Sequence, residues 1–219
     1  MMAQTGPLRR GALGPGAKAL CVFVHGRSQS PEEMESHVLA RLDAPGVAFH
    51  LPRAERGAWY DAKAVDPLVP ECRVQLSASL TQLGAEIAAF RAEYPGLPLL
   101  LAGFSQGACL SLEYAFSGAP APEALAALTG CRVGTPGCTR DDALPRGLPV
   151  YLTGGDADPW IPVHAFAEAA QALGMRGTRL RADLFPGRGH EVAGAEIAML
   201  GSLLADLVAG RAPALAAPR

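Results

Sequence analysis

Hydrophobic residues fall into two kinds of segment that alternate along the chain. Short, nearly continuous apolar runs predict buried strands at residues 20–24, 97–102 and 150–153, and residues 178–185 are a further strand-like run. Apolar residues three or four positions apart predict helices, with stripes at Leu80, Leu83, Ile87 and Phe90 and at Ile197, Leu200, Leu204 and Val208. Strands that alternate with helices form parallel sheets covered on both faces, so the pattern predicts an α/β fold.

The same pattern indicates a single domain. At 219 residues the chain can build one large core, and no repeat or linker interrupts it. No segment is long enough for a large inserted cap domain, so a site at the edge of the sheet is expected to be open. Residues 1–17 and 212–219 are predicted to be a flexible N-terminal extension and a flexible tail.

Residues 103–107, Gly-Phe-Ser-Gln-Gly, connect a predicted strand to a helix-like segment at 108–115. A serine at the apex of so tight a turn is strained and held outward, and the flanking glycines let strand and helix pass closely. Ordinary glycine-rich loops share this spacing by chance, but here a strand precedes it and a helix follows. Ser105 is therefore predicted to be a nucleophile, which needs a base and a group that orients the base.

Two of the five histidines lie well after Ser105, where hydrolases with this serine turn carry their base. His190 lies in a glycine-rich loop after the last predicted strand and is predicted to be that base. His164 is assigned to the first turn of a helix. His25, which follows the first predicted strand, is interpreted as a residue that braces its loop.

Asp156 and Asp158 follow the third predicted strand, where the orienting acid should lie. Pro159 fixes the turn after Asp158, and the apolar Trp160 would shield its carboxylate from water, so Asp158 is predicted to orient His190. Asp156 is interpreted as a turn residue and stays the alternative acid.

Two backbone N–H groups are predicted to form an oxyanion hole. One belongs to Gln106, at the positive end of the helix after Ser105, and the other to Arg27, in the loop after the first strand. This chemistry needs no cofactor or metal, and the Cys and His spacings do not resemble those of a zinc site. Amphipathic aromatic residues suit a substrate pocket, with plain packing as the alternative, and the candidates are Trp59, Tyr60 and Trp160.

Together these segments resemble the phospholipase/carboxylesterase family of α/β-hydrolases, which includes the acyl-protein thioesterases. Val-His-Gly-Arg at 24–27 resembles the family's oxyanion loop, and the turn at 103–108 its Gly-Phe-Ser-Gln-Gly motif. The segment at 156–162 is similar to its Asp-x-Asp-Pro acid loop, and 186–190 to its histidine loop. Trp59-Tyr60 resembles a pair that bacterial members carry at the pocket edge. The resemblance covers most of the sequence.

The resemblance implies an α/β-hydrolase fold and a carboxylesterase that acts through an acyl-Ser105 intermediate, with His190, Asp158 and the two backbone donors in the roles given above. Arg27 stands where thioesterase members usually carry leucine, and a polar loop at 28–33 follows it, which favours small or medium acyl groups. Arg27 and Arg188 together would favour an anionic substrate, unless both are simply solvated. The alternatives are a thioesterase or lysophospholipase acting on acyl-protein, acyl-CoA or lysolipid, and a non-catalytic hydrolase-fold binding protein.

The net charge and the cysteine content limit which classes of partner and which cellular compartment are expected for this chain. A net charge of −2 provides no basic field for nucleic acid, and no segment has the roughly 18 apolar residues of a membrane span. We expect a small-molecule ester or thioester as partner; a homodimer is compatible with the sequence. The first residues lack the apolar core of a signal peptide, so a cytoplasmic location is predicted. Cys131 and Cys138 are expected to be unpaired thiols, with a disulfide in an oxidising compartment as the alternative.

Overall fold

The computed structural model describes residues 6–216. Its strands are β1 (Leu8–Gly11), β2 (Ala19–Val24), β3 (Val47–Leu51), β4 (Leu99–Phe104), β5 (Ala124–Leu128), β6 (Pro149–Gly155) and β7 (Arg179–Phe185). Its α-helices are α1 (Pro31–His37), α2 (Pro70–Glu93), α3 (Gln106–Phe116), α4 (Val163–Met175) and α5 (Gly194–Val208). The strands form one sheet in the order β1-β3-β2-β4-β5-β6-β7. Only β1 is antiparallel to its neighbour, so the predicted mostly parallel sheet is confirmed.

Hydrophobic cores fill both faces of the sheet. In β2, Leu20 and Val22 contribute to one core, whereas Cys21 and Phe23 contribute to the other, as the alternation of side chains along a strand requires. Helices α2, α3 and α4 cover the first face, and α1 and α5 cover the second. All five helices therefore lie against the sheet. Among residues 6–216, none of them combines the length and hydropathy that crossing a bilayer requires.

The N-terminal extension is more ordered than the sequence predicted. Residues 8–11 pair in register with 48–51, and Leu8 is buried in the core beneath α5. This pairing supplies partners for backbone groups along β3 that would otherwise form an exposed sheet edge. The expectation of a flexible segment up to residue 17 is therefore wrong from residue 8 onward, and residues 1–5 lie outside the described part.

The tail prediction is also wrong in its first part. The Ala214 N–H donates to Asp206 Oδ2 at 3.0 Å, and Arg179 donates to the Pro213 carbonyl at 2.8 Å. Leu215 packs against the core beneath α5. These contacts hold residues 213–215 on the domain, whereas residues 217–219 lie outside the described part.

Candidate active site

Ser105 occupies the turn between β4 and α3 in a strained conformation, with φ 55° and ψ −121°. Its N–H donates to the Leu128 carbonyl at 3.0 Å, which fixes the turn to the next strand. A Cβ added to Gly107 would lie 2.1 Å from the Val24 carbonyl oxygen, and one added to Gly103 would lie 2.5 Å from the backbone of Gly107. Both glycines are therefore required for the close passage that presents the serine.

Gly107→Ala is expected to lower the free energy of unfolding by at least about 3 kcal/mol, because the added methyl group meets backbone atoms that no side-chain rotation can move. Gly201→Ala is a matched control. Gly201 lies inside α5 and an added Cβ there meets nothing within 4 Å, so this variant should gain about 0.5–1 kcal/mol from helix propensity. Urea denaturation of both variants measures the difference, and similar effects would contradict the steric account.

Ser105, His190 and Asp158 form a hydrogen-bonded relay across three loops. His190 Nε2 lies 2.9 Å from Ser105 Oγ, and His190 Nδ1 lies 2.7 Å from Asp158 Oδ2. The other carboxylate oxygen, Oδ1, accepts the N–H groups of Trp160 and Ile161 at 2.7 and 2.9 Å. The Asp158 side chain is fully buried. Its carboxylate is thus fixed by donors on both oxygens and aimed at the imidazole.

Asp156, the alternative acid, and His164, the other histidine after Ser105, lie outside this relay. Asp156 is exposed, and its Oδ1 accepts the Gly187 N–H at 2.5 Å, so it joins the acid loop to the histidine loop. His164 is exposed in the first turn of α4. Asp156 contacts the loop that carries His190, whereas Asp158 contacts the imidazole itself.

The loop after β2 leaves the Arg27 N–H available. Gly26 N–H donates to the Gln29 side chain at 3.0 Å, Gln29 N–H donates back to the Gly26 carbonyl, and Ser28 N–H bonds a neighbouring loop. Neither Arg27 N–H nor Gln106 N–H finds an acceptor among residues 6–216. Both residues line the same cavity as Ser105. The arrangement therefore offers two free donors beside the serine, the second at the N-terminus of α3.

A cavity of about 360 Å³ opens beside Ser105 and His190. Tyr60, Trp160 and Ile161 contribute to its wall, and Trp160 is 62% exposed at its rim. Two of the three predicted pocket aromatics therefore line the cavity. The wall offers apolar surface of the kind that binds an acyl chain.

Trp59 is the third predicted pocket aromatic, and its side chain lies in the core rather than in the cavity wall. It is 3% exposed, and its indole Nε1–H donates to the His25 carbonyl at 2.8 Å. Its backbone N–H donates to the side chain of Gln106 at 3.0 Å, and that side chain donates in turn to the Tyr60 carbonyl at 2.7 Å. The packing alternative is therefore correct for Trp59, which supports the loop that carries Tyr60.

His25 has the bracing role that the sequence indicated. Its Nδ1–H donates to the Gly26 carbonyl at 2.7 Å, and its Nε2 accepts the Ala54 N–H at 3.1 Å. Burial lowers the pKa of this imidazole, which favours the neutral ring. One neutral tautomer satisfies both bonds, so His25 holds the loop before Arg27 without carrying a charge.

The guanidinium of Arg27 binds the pocket wall. Its Nη2 donates to the carbonyls of Tyr60, Asp61 and Ala62 at 3.0, 3.1 and 2.7 Å. These three bonds direct the Nη2 group at backbone oxygens. The side chain of Arg27 therefore holds the segment that forms the wall, and its service to an anionic substrate stays a prediction, since Arg27 is exposed and lines the cavity.

Arg188 is buried, and neither the substrate role nor the solvated alternative holds. Its Nη1 donates to Glu196 Oε2 and to the Glu191 carbonyl, both at 2.6 Å, and its Nη2 donates to Thr129 Oγ1 at 2.9 Å. The side chains of Arg188 and Glu196 are 5% and 0% exposed. Burial is the largest influence on Glu196 and raises the pKa of its carboxyl. This buried pair anchors the histidine loop to α5 and to the end of β5.

Glu196→Gln is expected to lower the free energy of unfolding by about 3–5 kcal/mol, because it leaves the Arg188 charge buried without its partner. The control is Glu93→Gln at the exposed pair of Arg9 and Glu93, which should change stability by less than about 1 kcal/mol. Equal effects in chemical denaturation would contradict the anchoring role of the buried pair.

The cysteines agree with the expectation of unpaired thiols, and they show one contact that the sequence did not predict. All five are free thiols, but Cys131 faces Cys109, with the two sulfurs 3.7 Å apart. Cys138 Sγ instead accepts the Leu68 N–H at 3.3 Å. Cys131 and Cys138 are unpaired as expected, whereas the contact between Cys131 and Cys109 was not predicted.

The model of the family described as Phospholipase/Carboxylesterase matches residues 16–207. That span includes every predicted site residue. The chain belongs to the phospholipase/carboxylesterase family. It has the α/β-hydrolase fold that the sequence predicted, and the family is one of hydrolases.

Solved structures of this family and fold superpose over most of the chain. A phospholipase/carboxylesterase from Dyadobacter fermentans is 27% identical, with 92% of this chain and 97% of that one covered and a TM-score of 0.81. The esterase PE8 is 22% identical over 94% and 100%, with a TM-score of 0.74. Acyl-protein thioesterase 2 of Zea mays is 18% identical over 92% and 98%, with a TM-score of 0.70. A search of curated protein sequences finds no match.

Several supporting residues of this family member escaped the sequence analysis. They are the side chains that hold the loops rather than those that face the cavity: Gln29, the amide group of Gln106, Thr129, Thr153 and Glu196. Glutamate at position 196 carried one usable signal, since it lies three residues after Ala193, the residue that precedes an apolar helix, and a glutamate at this position can reach back to the backbone. The Glu196 carboxylate does accept the Ala193 N–H at 2.6 Å.

Proposed function

We propose that this chain is a serine carboxylesterase that cleaves esters of small or medium carboxylic acids through an acyl-Ser105 intermediate. The observation that carries the proposal is the relay from Ser105 Oγ through His190 to the buried Asp158, with distances of 2.9 and 2.7 Å. Nucleophile, base and orienting group are within hydrogen-bond reach, which is the geometric requirement for activating a serine.

In the first half of the reaction, His190 Nε2 takes the proton of Ser105 while Oγ attacks the ester carbonyl carbon. The oxyanion that forms accepts the N–H groups of Arg27 and Gln106, and each such donor lowers the barrier by about 3 kcal/mol. Asp158 keeps the Nδ1–H of His190 in place and stabilises the imidazolium. His190 then protonates the departing alkoxide, which leaves acyl-Ser105.

In the second half, water replaces the alcohol. His190 takes a proton from the water as it attacks the acyl carbonyl, and the same two N–H groups hold the second oxyanion. Collapse of this intermediate returns the proton to Ser105 Oγ and releases the acid. The same steps would cleave a thioester, since only the leaving group differs.

The size of the cavity supports small or medium acyl groups. A volume of about 360 Å³ is at the lower end of the range for small-molecule sites. The polar segment at 28–33, which the structure divides between a short loop and the first turn of α1, contributes Ser28 and Gln29 to its wall. Lipid-like chains would extend beyond this volume onto the rim at Trp160.

A non-catalytic binding protein would gain nothing from the backbone conformation of Ser105. A non-glycine residue held at φ 55° and ψ −121° costs about 1–3 kcal/mol, which the surrounding structure must supply. Such strain is found where a side chain must be presented for chemistry. The conformation therefore favours the esterase over the binding protein.

Matched 4-nitrophenyl esters and the corresponding thioesters of butyrate, octanoate and palmitate test the proposal, together with a lysophospholipid. We expect kcat/KM to be highest for the butyrate or octanoate ester and to fall for palmitate. A maximum at palmitoyl thioester or lysolipid would favour the thioesterase or lysophospholipase alternative. No hydrolysis of any member by folded protein would contradict the proposal.

A further inference from the structure

Two thiols lie together at the floor of the candidate active site. Cys109 is in the first turn of α3, four residues after Ser105, and it lines the cavity. Cys131 follows β5, and the two sulfurs are 3.7 Å apart. Cys109 is 2% exposed and contributes to the cavity wall, whereas Cys131 is fully buried, so a small molecule in the cavity would reach Cys109 first.

The surroundings of the pair make the two thiols unequal. Cys109 Sγ accepts the Cys131 N–H at 3.4 Å, and the thiol of Cys131 lies in hydrogen-bond range of the same sulfur. Hydrogen bonding from Cys131 is the largest influence on Cys109 and lowers its pKa, whereas it raises the pKa of Cys131 well above the ordinary value. Cys109 is thus the more acidic of the two thiols, and Cys131 is the less acidic.

The separation is compatible with a bond after a small movement. A disulfide needs about 2.05 Å between the sulfurs, against the 3.7 Å found for the two thiols. The backbone nitrogen of Cys131 is already 3.4 Å from the sulfur of Cys109, so the residues are in direct contact. Forming the bond would require the two sulfurs to approach from this contact distance.

We propose that Cys109 and Cys131 form an oxidation site for small hydroperoxides, which enter through the cavity and convert the two thiols to a disulfide. The Cys109 thiolate attacks the terminal OH oxygen of the hydroperoxide, the O–O bond breaks, and the alkoxide leaves (hydroxide in the case of hydrogen peroxide), which gives a sulfenic acid on Cys109. The sulfur of Cys131 then attacks the Cys109 sulfur, the S–O bond breaks, and the Cys131 proton leaves with the oxygen as water. Two electrons pass from the thiols to the peroxide.

The consequence is a covalent link beside the nucleophile. The disulfide would join the first turn of α3, whose Cys109 N–H donates to the Ser105 carbonyl at 3.0 Å, to the loop after β5. The same loop contains Thr129, which binds Arg188 of the histidine loop. Oxidation would therefore act on two segments that position the relay, through chemistry separate from ester hydrolysis.

The test uses the wild-type protein treated with a small molar excess of hydrogen peroxide at pH 7, then denatured in N-ethylmaleimide and digested without reductant. Trypsin with a glutamate-specific protease places Cys109 in peptide 94–113 and Cys131 in peptide 124–132, apart from Cys138. We expect these two peptides to appear joined, and to separate after reduction. Maleimide adducts on both cysteines after peroxide treatment would overturn the proposal. The mapping does not depend on hydrolysis, so its failure is distinct from failure of the esterase.

Single variants test the order of the two steps. In Cys131→Ser the sulfenic acid on Cys109 has no partner, and we expect dimedone to label Cys109. In Cys109→Ser we expect no dimedone on Cys131, because that thiol is fully buried and does not contribute to the cavity wall. Labelling of Cys131 without labelling of Cys109 would overturn the assignment. Because Cys138 has a pKa of about 7, the same variants are made in a Cys138→Ser background to remove a competing thiol.

Discussion

Replacing Ser105 by alanine is expected to lower kcat for ester hydrolysis by about 10⁶-fold. The variant keeps the cavity, the two backbone donors and the pair of His190 and Asp158, but it has no oxygen to form the acyl intermediate. What remains is water attack assisted by the oxyanion donors, which is worth about 10³–10⁴ over the uncatalysed reaction. The loss is measured as kcat for the ester that gives the highest kcat/KM in the matched panel.

Ser36→Ala is the control for this variant. Ser36 is an exposed residue of α1, and its hydroxyl donates to the Glu33 carbonyl at 3.0 Å. Activity should be unchanged within error, since the residue is on a helix that covers the other face of the sheet. If Ser105→Ala retained more than about a hundredth of the activity while folded, another nucleophile would have to be sought.

Asp158→Asn is expected to lower kcat by about 10⁴-fold. The amide nitrogen or oxygen would face His190 Nδ1 in place of the carboxylate, so the imidazole loses both its orienting charge and its preferred tautomer. The bonds from Trp160 and Ile161 to Oδ1 would persist, which should keep the loop folded. A pronounced loss in kcat with little change in unfolding free energy is the expected pattern.

Asp156→Asn is the matched comparison, because the same chemical change is made two residues away. Its side-chain oxygen still accepts the Gly187 N–H, so we expect a loss of no more than about tenfold, the size of one neutral hydrogen bond. Equal losses in the two variants would show that the acid loop acts as a unit and would remove the special role of Asp158.

The strands with continuous apolar runs could be predicted from the sequence, and so could the long helices. In α2 and α5 the predicted stripes face the core, and all of their residues are buried except Leu80 and Val208, which are partly buried, because a helix that covers a sheet must present one apolar side. The β5 segment Ala-Leu-Ala-Ala-Leu was not recognised, since alanine and leucine favour helices and only the neighbouring strands decide otherwise. The polar β1 was missed because pairing with β3, rather than hydrophobicity, forms it.

The residues of the candidate site could be predicted from the sequence where one short segment determines the local geometry. Gly103 and Gly107 fix the serine turn locally, and the acid and histidine loops each follow a strand, so chain order alone indicates that they meet. Side chains whose partners come from distant segments were not readable. The contact of Arg188 with Glu196 and that of Arg27 with the pocket wall depend on how loops pack, which no local pattern records.

The central claim is that Ser105 is an activated nucleophile. Incubation with a fluorophosphonate, followed by intact mass and peptide mapping, tests it most directly, with Ser105→Ala as the control. The account predicts one phosphonyl group per chain, located at Ser105 and absent from the variant. A folded protein that stays unlabelled, or that is labelled at another residue, would contradict it.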